Sequence, residues 1–291
     1  MTNREDRGMM AGEEEVSEMS FLQNVLRIMD TQMTTPEAYG LFHLVSLAIV
    51  AVSAVALCLW HRKSGSPKRV VDVVLTVAVT VVVMEVYKLI NYSFSYEGGI
   101  SFDFPWYVFP WQFCSTPMYV GILAGIIRKG KVHESLCAYL ATYSLFAGAA
   151  VMFYPGDVFV GTVGINIQTM FCHGSMIAVA VYLMASGYVK LQHKTILKAM
   201  PVFAVTVMVA MILNEVAYRT GLLETDTFNM FYISPYCDPH LPVYSIVQEM
   251  VAYPWCLIIY IAGFTAAAYL LLLLAIGIRK VVSGKKVAVT A

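Results

Sequence analysis

Apolar residues gather in seven runs, at 41–60, 70–90, 110–127, 135–153, 167–187, 196–218 and 254–278. Each is of the length a helix needs to cross hydrocarbon, about 20 residues. The turns between them alternate in charge. Arg62, Lys63, Lys68 and Arg69 follow the first run; Arg128, Lys129 and Lys131 follow the third; Lys190, Lys194 and Lys198 follow the fifth; Arg279, Lys280, Lys285 and Lys286 follow the seventh. Arg219 is the only cation in the intervening loops. Cation-rich turns stay in the cytoplasm, so the pattern predicts an all-α, polytopic membrane helix bundle. It has seven transmembrane helices, with the N-terminus outside and the C-terminus inside.

Ahead of the first run, Phe21, Leu22, Val25, Leu26 and Met29 recur at helical spacing, and Ser20 with Gln23 forms a capping-box pattern. Residues 1–38 therefore divide off as an acidic tail with a short amphipathic interfacial helix, 39–280 as the membrane domain and 281–291 as a basic cytoplasmic tail. A disordered acidic tail with one sticky patch is the other reading of 1–38. Composition sharpens the class. Of 291 residues, 59% are apolar and 13% charged, with a mean hydropathy of +0.68, outside the range of a water-soluble domain. A net charge of zero gives no reason to expect a nucleic-acid partner. Glu13, Glu14 and Glu15 are unlike a secretory signal, so the first run is expected to be an uncleaved anchor. No internal repeat is evident, which weakens an inverted-repeat transporter reading. Gly121 and Gly125 give the third run a small-xxx-small face for close packing.

A charge at mid-bilayer costs about 2.5–3.5 kcal/mol on insertion scales, so intramembrane polar residues carry information. His43 opens the first run; Glu85 and Lys88 close the second; Gln112 and Cys114 open the third. Gln168, Thr169 and His173 open the fifth, Asn214 and Glu215 close the sixth, and Gln248 and Glu249 precede the seventh. In the assigned direction all fall in the outer half, which predicts a shared polar pocket there. Helical rise puts Cys114 and His173 at matching depth, about 6–9 Å below the outer boundary. Thr169 shares the face of His173 and can hydrogen-bond near its ring. An imidazole near a thiol at a helix start is the makings of a Cys-His acyl-transfer site. The plainer reading makes His173 a satisfied bundle histidine and Cys114 a packing residue. Glu85 with Lys88, and Glu215 with Arg219, are spaced to form structural ion pairs or to meet a lipid head group. No HxxxH or CxxC spacing points to a metal, and no cofactor is implied; the seventh run holds no lysine for a retinal Schiff base. Most of the six cysteines lie in apolar runs; oxidation of Cys114 with Cys237 or Cys172 would remove the nucleophile. Asn91-Tyr-Ser93 is a glycosylation sequon abutting the membrane.

The run Phe109-Pro-Trp-Gln-Phe-Cys114 resembles the "LPLHLC" element of the bacterial YwaF-like integral membrane family, whose eukaryotic relatives include transmembrane protein 164. Leu41-Phe-His43-Leu, Glu85, Gln168 to His173, Asn214 and Ala252-Tyr-Pro-Trp255 follow in the family's order, across residues 38–280. Gln112 stands where the bacterial pattern has a His, and Pro254-Trp-Cys256 replaces its Pro-Trp-Tyr ending. The resemblance implies a cysteine acyltransferase acting on lysophospholipids, with Cys114 acylated, His173 as general base and membrane phospholipids as partners. His43, Glu85, Lys88, Gln112, Gln168, Thr169, Asn214 and Glu215 would then surround the substrate. A competing function is a small-solute or proton transporter or binding protein using the intramembrane Glu, Lys and His residues.

Overall fold

The computed structural model describes residues 20–156, 158–221, 228–237 and 241–284, so Glu13, Glu14, Glu15, Lys285 and Lys286 lie outside the described residues. Helix follows the apolar runs: α1 Phe21–Met29, α2 Leu41–Ser64, α3 Pro67–Ser93, α4 Thr116–Ile127, α5 Gly130–Ala141, α6 Tyr143–Phe153, α7 Val163–Ala185, α8 Lys194–Thr220, α9 Pro242–Met250 and α10 Trp255–Ser283. Among the described residues, six stretches are long and apolar enough to cross a membrane: Leu41–Arg62, Pro67–Ser93, Gly130–Phe153, Val163–Ala185, Lys194–Thr220 and Trp255–Val282.

The third predicted run differs. Its helix begins only at Thr116 and has 12 residues, about 18 Å of rise against a hydrocarbon core of about 30 Å. Upstream, Pro105 and Pro110 cannot donate to a helical ladder, and the chain makes a short 3-10 turn at Trp106–Val108 before reaching the helix. Pro117, in the first turn of α4, needs no such donor. The fourth run is also broken. Thr142 sits between α5 and α6 at φ −124° and ψ −74°, and its hydroxyl donates back to Ala138 O at 2.7 Å.

Small residues set the helix spacing. A Cβ on Gly121 would lie 2.8 Å from Ala78 Cβ, and one on Gly125 2.6 Å from Leu75 Cδ1, so α3 and α4 meet on the face the sequence predicts. Gly174 admits Val50 of α2 in the same way, and Gly148 of α6 lies against the backbone of α7. A ladder of rings then joins α6, α8 and α10: Tyr143 stacks on Phe203 at 4.3 Å, Phe203 on Phe264 at 6.1 Å, and Phe264 on Tyr260 at 4.1 Å.

The two ends of the bundle differ in chemistry. At one, the cationic turns gather: Arg128 pairs with Asp72 at 3.0 Å, Lys198 with Glu134 at 2.5 Å, and Arg69 lies over Trp60. At the other, the intramembrane polar residues meet irregular backbone. There a hairpin, β1 Phe94–Ser95 with β2 Ser101–Phe102, turns through Gly98 and Gly99, whose φ of 71° and 127° require glycine. Helix α1 lies across this end. Ser20 Oγ accepts from Gln23 N and Gln23 Oε1 from Ser20 N, the capping box its spacing predicts. Met29 O accepts from Tyr87 Oη at 2.5 Å and from Asn91 Nδ2 at 3.3 Å, and Gln32 bridges to Thr162. The sequon amide of Asn91 is thus engaged with the chain itself.

Candidate functional site

Each residue of the stretch Trp111 to Cys114 has a distinct environment. Trp111 Nε1 donates to Thr206 O at 3.3 Å. Gln112 grips a peptide segment more than a hundred residues away: its Nε2 donates to Asn229 O at 2.9 Å and its Oε1 accepts from Phe231 N at 2.9 Å. Phe113 packs among Phe146, Phe203, Phe231 and Phe264. Asn214 holds the residue between the two that Gln112 holds, donating to Met230 O at 3.0 Å and accepting from Met230 N at 2.8 Å. Phe231 and Tyr232 have φ of 60° and 56°, a region that non-glycine residues occupy only when held. Two side-chain amides supply that hold, so Gln112 and Asn214 shape the wall beside Cys114 with their hydrogen-bonding groups already engaged.

Cys114 itself is partly accessible and carries a free thiol. Lys88, Glu85, Tyr139, Cys172 and Tyr232 lie within its electrostatic reach. Lys88 is also within reach of His173. Glu85 is buried, its Oε1 paired with Lys88 at 2.5 Å and its Oε2 accepting from Gln168 Nε2 at 3.2 Å. Gln168 Nε2 also reaches Cys172 Sγ at 3.5 Å, and Thr169 Oγ1 donates to Gln168 Oε1 at 3.4 Å. The chain of contacts thus runs Lys88, Glu85, Gln168, then Cys172 and Thr169.

His173 has a defined tautomer. Its Nδ1 lies 2.7 Å from Thr169 O; a carbonyl can only accept, so Nδ1 carries the hydrogen and Nε2 presents a lone pair. That Nε2 is buried and has no hydrogen-bond partner, whereas buried polar atoms are normally paired. The contact from Thr169 comes from its backbone rather than from the hydroxyl the sequence suggests. Gly148 permits this placement, since a Cβ there would lie 2.6 Å from His173 O.

Two predicted members stand apart. His43 is fully buried and its nitrogens are both used: Nδ1 accepts from Tyr39 N at 2.9 Å and Nε2 donates to Met152 O at 2.9 Å. It fastens α2 to the end of α6. Glu215 pairs with Arg219 and accepts from Tyr236 Oη at 2.7 Å; that contact holds the Tyr236 phenol above its ordinary range. The single predicted pocket therefore resolves into separate clusters: His43 at the α2–α6 contact, Glu215 at the edge, and Lys88 with Glu85 and Gln168, of which Lys88 and Glu85 are within electrostatic reach of Cys114. Tyr139 and Tyr232, near Cys114, carry no signal in the sequence, because nothing in their spacing ties them to residue 114. Neither candidate disulfide of Cys114, with Cys172 or with Cys237, is formed. Among the described residues no group of three His, Cys, Asp or Glu side chains gathers to hold a metal ion.

A groove of about 660 Å³ runs between α2, α3 and α7, bounded by apolar side chains such as Val45, Ile49, Met170 and Phe171. It shares Val77, Ser175 and Val179 with a cleft of about 30 Å³ that reaches Cys172 and Met118. Apolar helices of spanning length, packed closely through glycines, define a multi-pass integral membrane protein. The chain belongs to the TMEM164 family, whose model matches residues 38–274. No curated protein and no solved structure matches it.

Proposed function

We propose that the chain is a cysteine-dependent lipid acyltransferase that moves an acyl chain between phospholipid and lysophospholipid. The observation that carries the reading is the buried, unpartnered Nε2 of His173, a fixed lone pair that, like Cys114, lies within electrostatic reach of Lys88. In the first half-reaction Nε2 takes the thiol proton of Cys114 as Sγ attacks the ester carbonyl of a phospholipid. The S–C bond forms, the C–O bond to glycerol breaks, and the proton passes to the departing lysolipid oxygen. In the second half, His173 deprotonates an acceptor lysolipid hydroxyl, the new C–O bond forms and the thiol is released with its proton. Lys88, held by Glu85, lies where it can offset negative charge developing near Cys114. The apolar groove beside Ser175 offers a place for an acyl chain. The same reading takes α4, with its irregular lead-in, as a seventh crossing, sets the N-terminus outside, and places the chain on the YwaF-like side of its family, with the cell membrane as its location if the source is bacterial.

Incubation of the purified full chain with acyl-labelled phospholipid should leave a hydroxylamine-sensitive label on the Cys114 peptide. Cys114→Ser should abolish transfer and His173→Ala should lower it about 10²–10⁴-fold, while Cys172→Ser retains it. Full acyl exchange by Cys114→Ser and His173→Ala would refute the assignment.

A further inference from the structure

At the opposite end of the bundle from Cys114 lies a second, polar cavity of about 510 Å³, walled by α5, the start of α8 and the turn before it. Lys129, Lys190 and Lys198 line it, against one acid, Glu134. Lys198 is paired with Glu134 at 2.5 Å. Among the described residues Lys129 and Lys190 have no carboxylate within ion-pair distance, and both are exposed. Helix α5 opens here too: Gly130 lines the cavity, and no side chain caps the first turn of this 12-residue helix. Its free amide groups add positive potential where the two lysines already supply it.

The floor is built rather than loose. His133 is buried; its Nδ1 donates to Ala124 O at 3.1 Å and its Nε2 accepts from Tyr188 Oη at 2.7 Å, with Cys137 Sγ at 3.5 Å. It thereby fixes Tyr188 in the wall. Thr195 Oγ1 donates to Lys190 O at 2.5 Å, which holds the backbone that carries Lys190. Cations outside ion-pair distance of any described acid, an uncapped helix start and a formed volume suit an anion.

We propose that this cavity binds a phosphate group, with Lys129, Lys190 and the first-turn amides of α5 as ligands, either as the head of an anionic lipid or as free phosphate. The site stands apart from Cys114 and His173, so its fate is independent of the acyl-transfer reading. The test uses the full chain in uncharged maltoside micelles and measures saturable binding calorimetrically. The probes are inorganic phosphate and dihexanoylphosphatidic acid, with dihexanoylphosphatidylcholine as a zwitterionic control. At least one phosphate probe should bind, and Lys129→Gln/Lys190→Gln should weaken it 10-fold or more without changing the ligand-free melting temperature. Glu134→Gln, which removes the competing carboxylate, should tighten binding about threefold. A tenfold preference for the lipid phosphate assigns a head group; equal affinity assigns free phosphate. Absence of saturable binding, wild-type affinity in the double lysine variant, or equal binding of the choline lipid would overturn the proposal.

Discussion

Gln112 satisfies two backbone groups of a turn 117 and 119 positions away. Replacing it with Ala removes both partners at once and leaves Asn229 O and Phe231 N in protein interior. The expected loss is about 2 kcal/mol, seen as a lower melting temperature in micelles, with Cys114 more open to alkylation. Gln112→Glu should be nearly as damaging, because a carboxylate can still accept from Phe231 N but faces Asn229 O acceptor to acceptor. The Glu85–Lys88 pair follows another rule: removing one partner strands a buried charge, while removing both does not. Lys88→Met should destabilise the protein by about 3–5 kcal/mol, and adding Glu85→Gln should recover most of the loss. Equal melting temperatures for the single and double variants would show that the pair is solvated.

Helix packing is set by residues without functional groups. Gly121→Ala puts a methyl 2.8 Å from Ala78 Cβ, a short, unbending neighbour. The expected penalty is about 1–3 kcal/mol, and Ala78→Gly should relieve it; failure of that rescue in thermal melts would place the clash elsewhere. This contact was legible beforehand, since glycines four apart on an apolar run announce a close face. So was the capping box at Ser20 and Gln23, where side chain and amide are neighbours in sequence. The break at Thr142 was not: a threonine among apolar residues reads as continuous helix, as Thr76 and Thr80 are within α3, where each hydroxyl makes the same bond to the carbonyl four residues back. The late start of α4 was hidden for a related reason. Trp111, Phe113 and Cys114 continue the apolar run past Pro110, but Gln112 is engaged by a turn that no local pattern connects to it. The amides of Gln112 and Asn214 are taken up by the turn at 229–231, a long-range grip that their depth alone does not signal. Depth reckoning started the fifth span near residue 167, whereas α7 begins at Val163, so His173 stands in mid-helix while Cys114 precedes α4.

At the scale of the molecule, charge sorting gives the chain a direction that the described residues express as two chemically unlike ends. The hairpin holding Glu97 and the turn holding Lys129 flank α4, so they report whether this short helix, with residues 103–115, completes a crossing. In a background lacking native thiols, a membrane-impermeant maleimide should label Glu97→Cys in intact cells and Lys129→Cys only after permeabilisation. Labelling of both from the same side would mean that α4 turns back within the bilayer. Helix α1 lies ahead of residues 38–274, the part matched by the family, yet Tyr87 and Asn91 hold it by Met29 O and Thr162 joins it through Gln32. A dye placed at residue 24 would therefore ride on a fastened clasp and tumble at the pace of the whole micelle. Its fluorescence anisotropy should stay high until Tyr87→Phe and Asn91→Ala together unlatch the clasp.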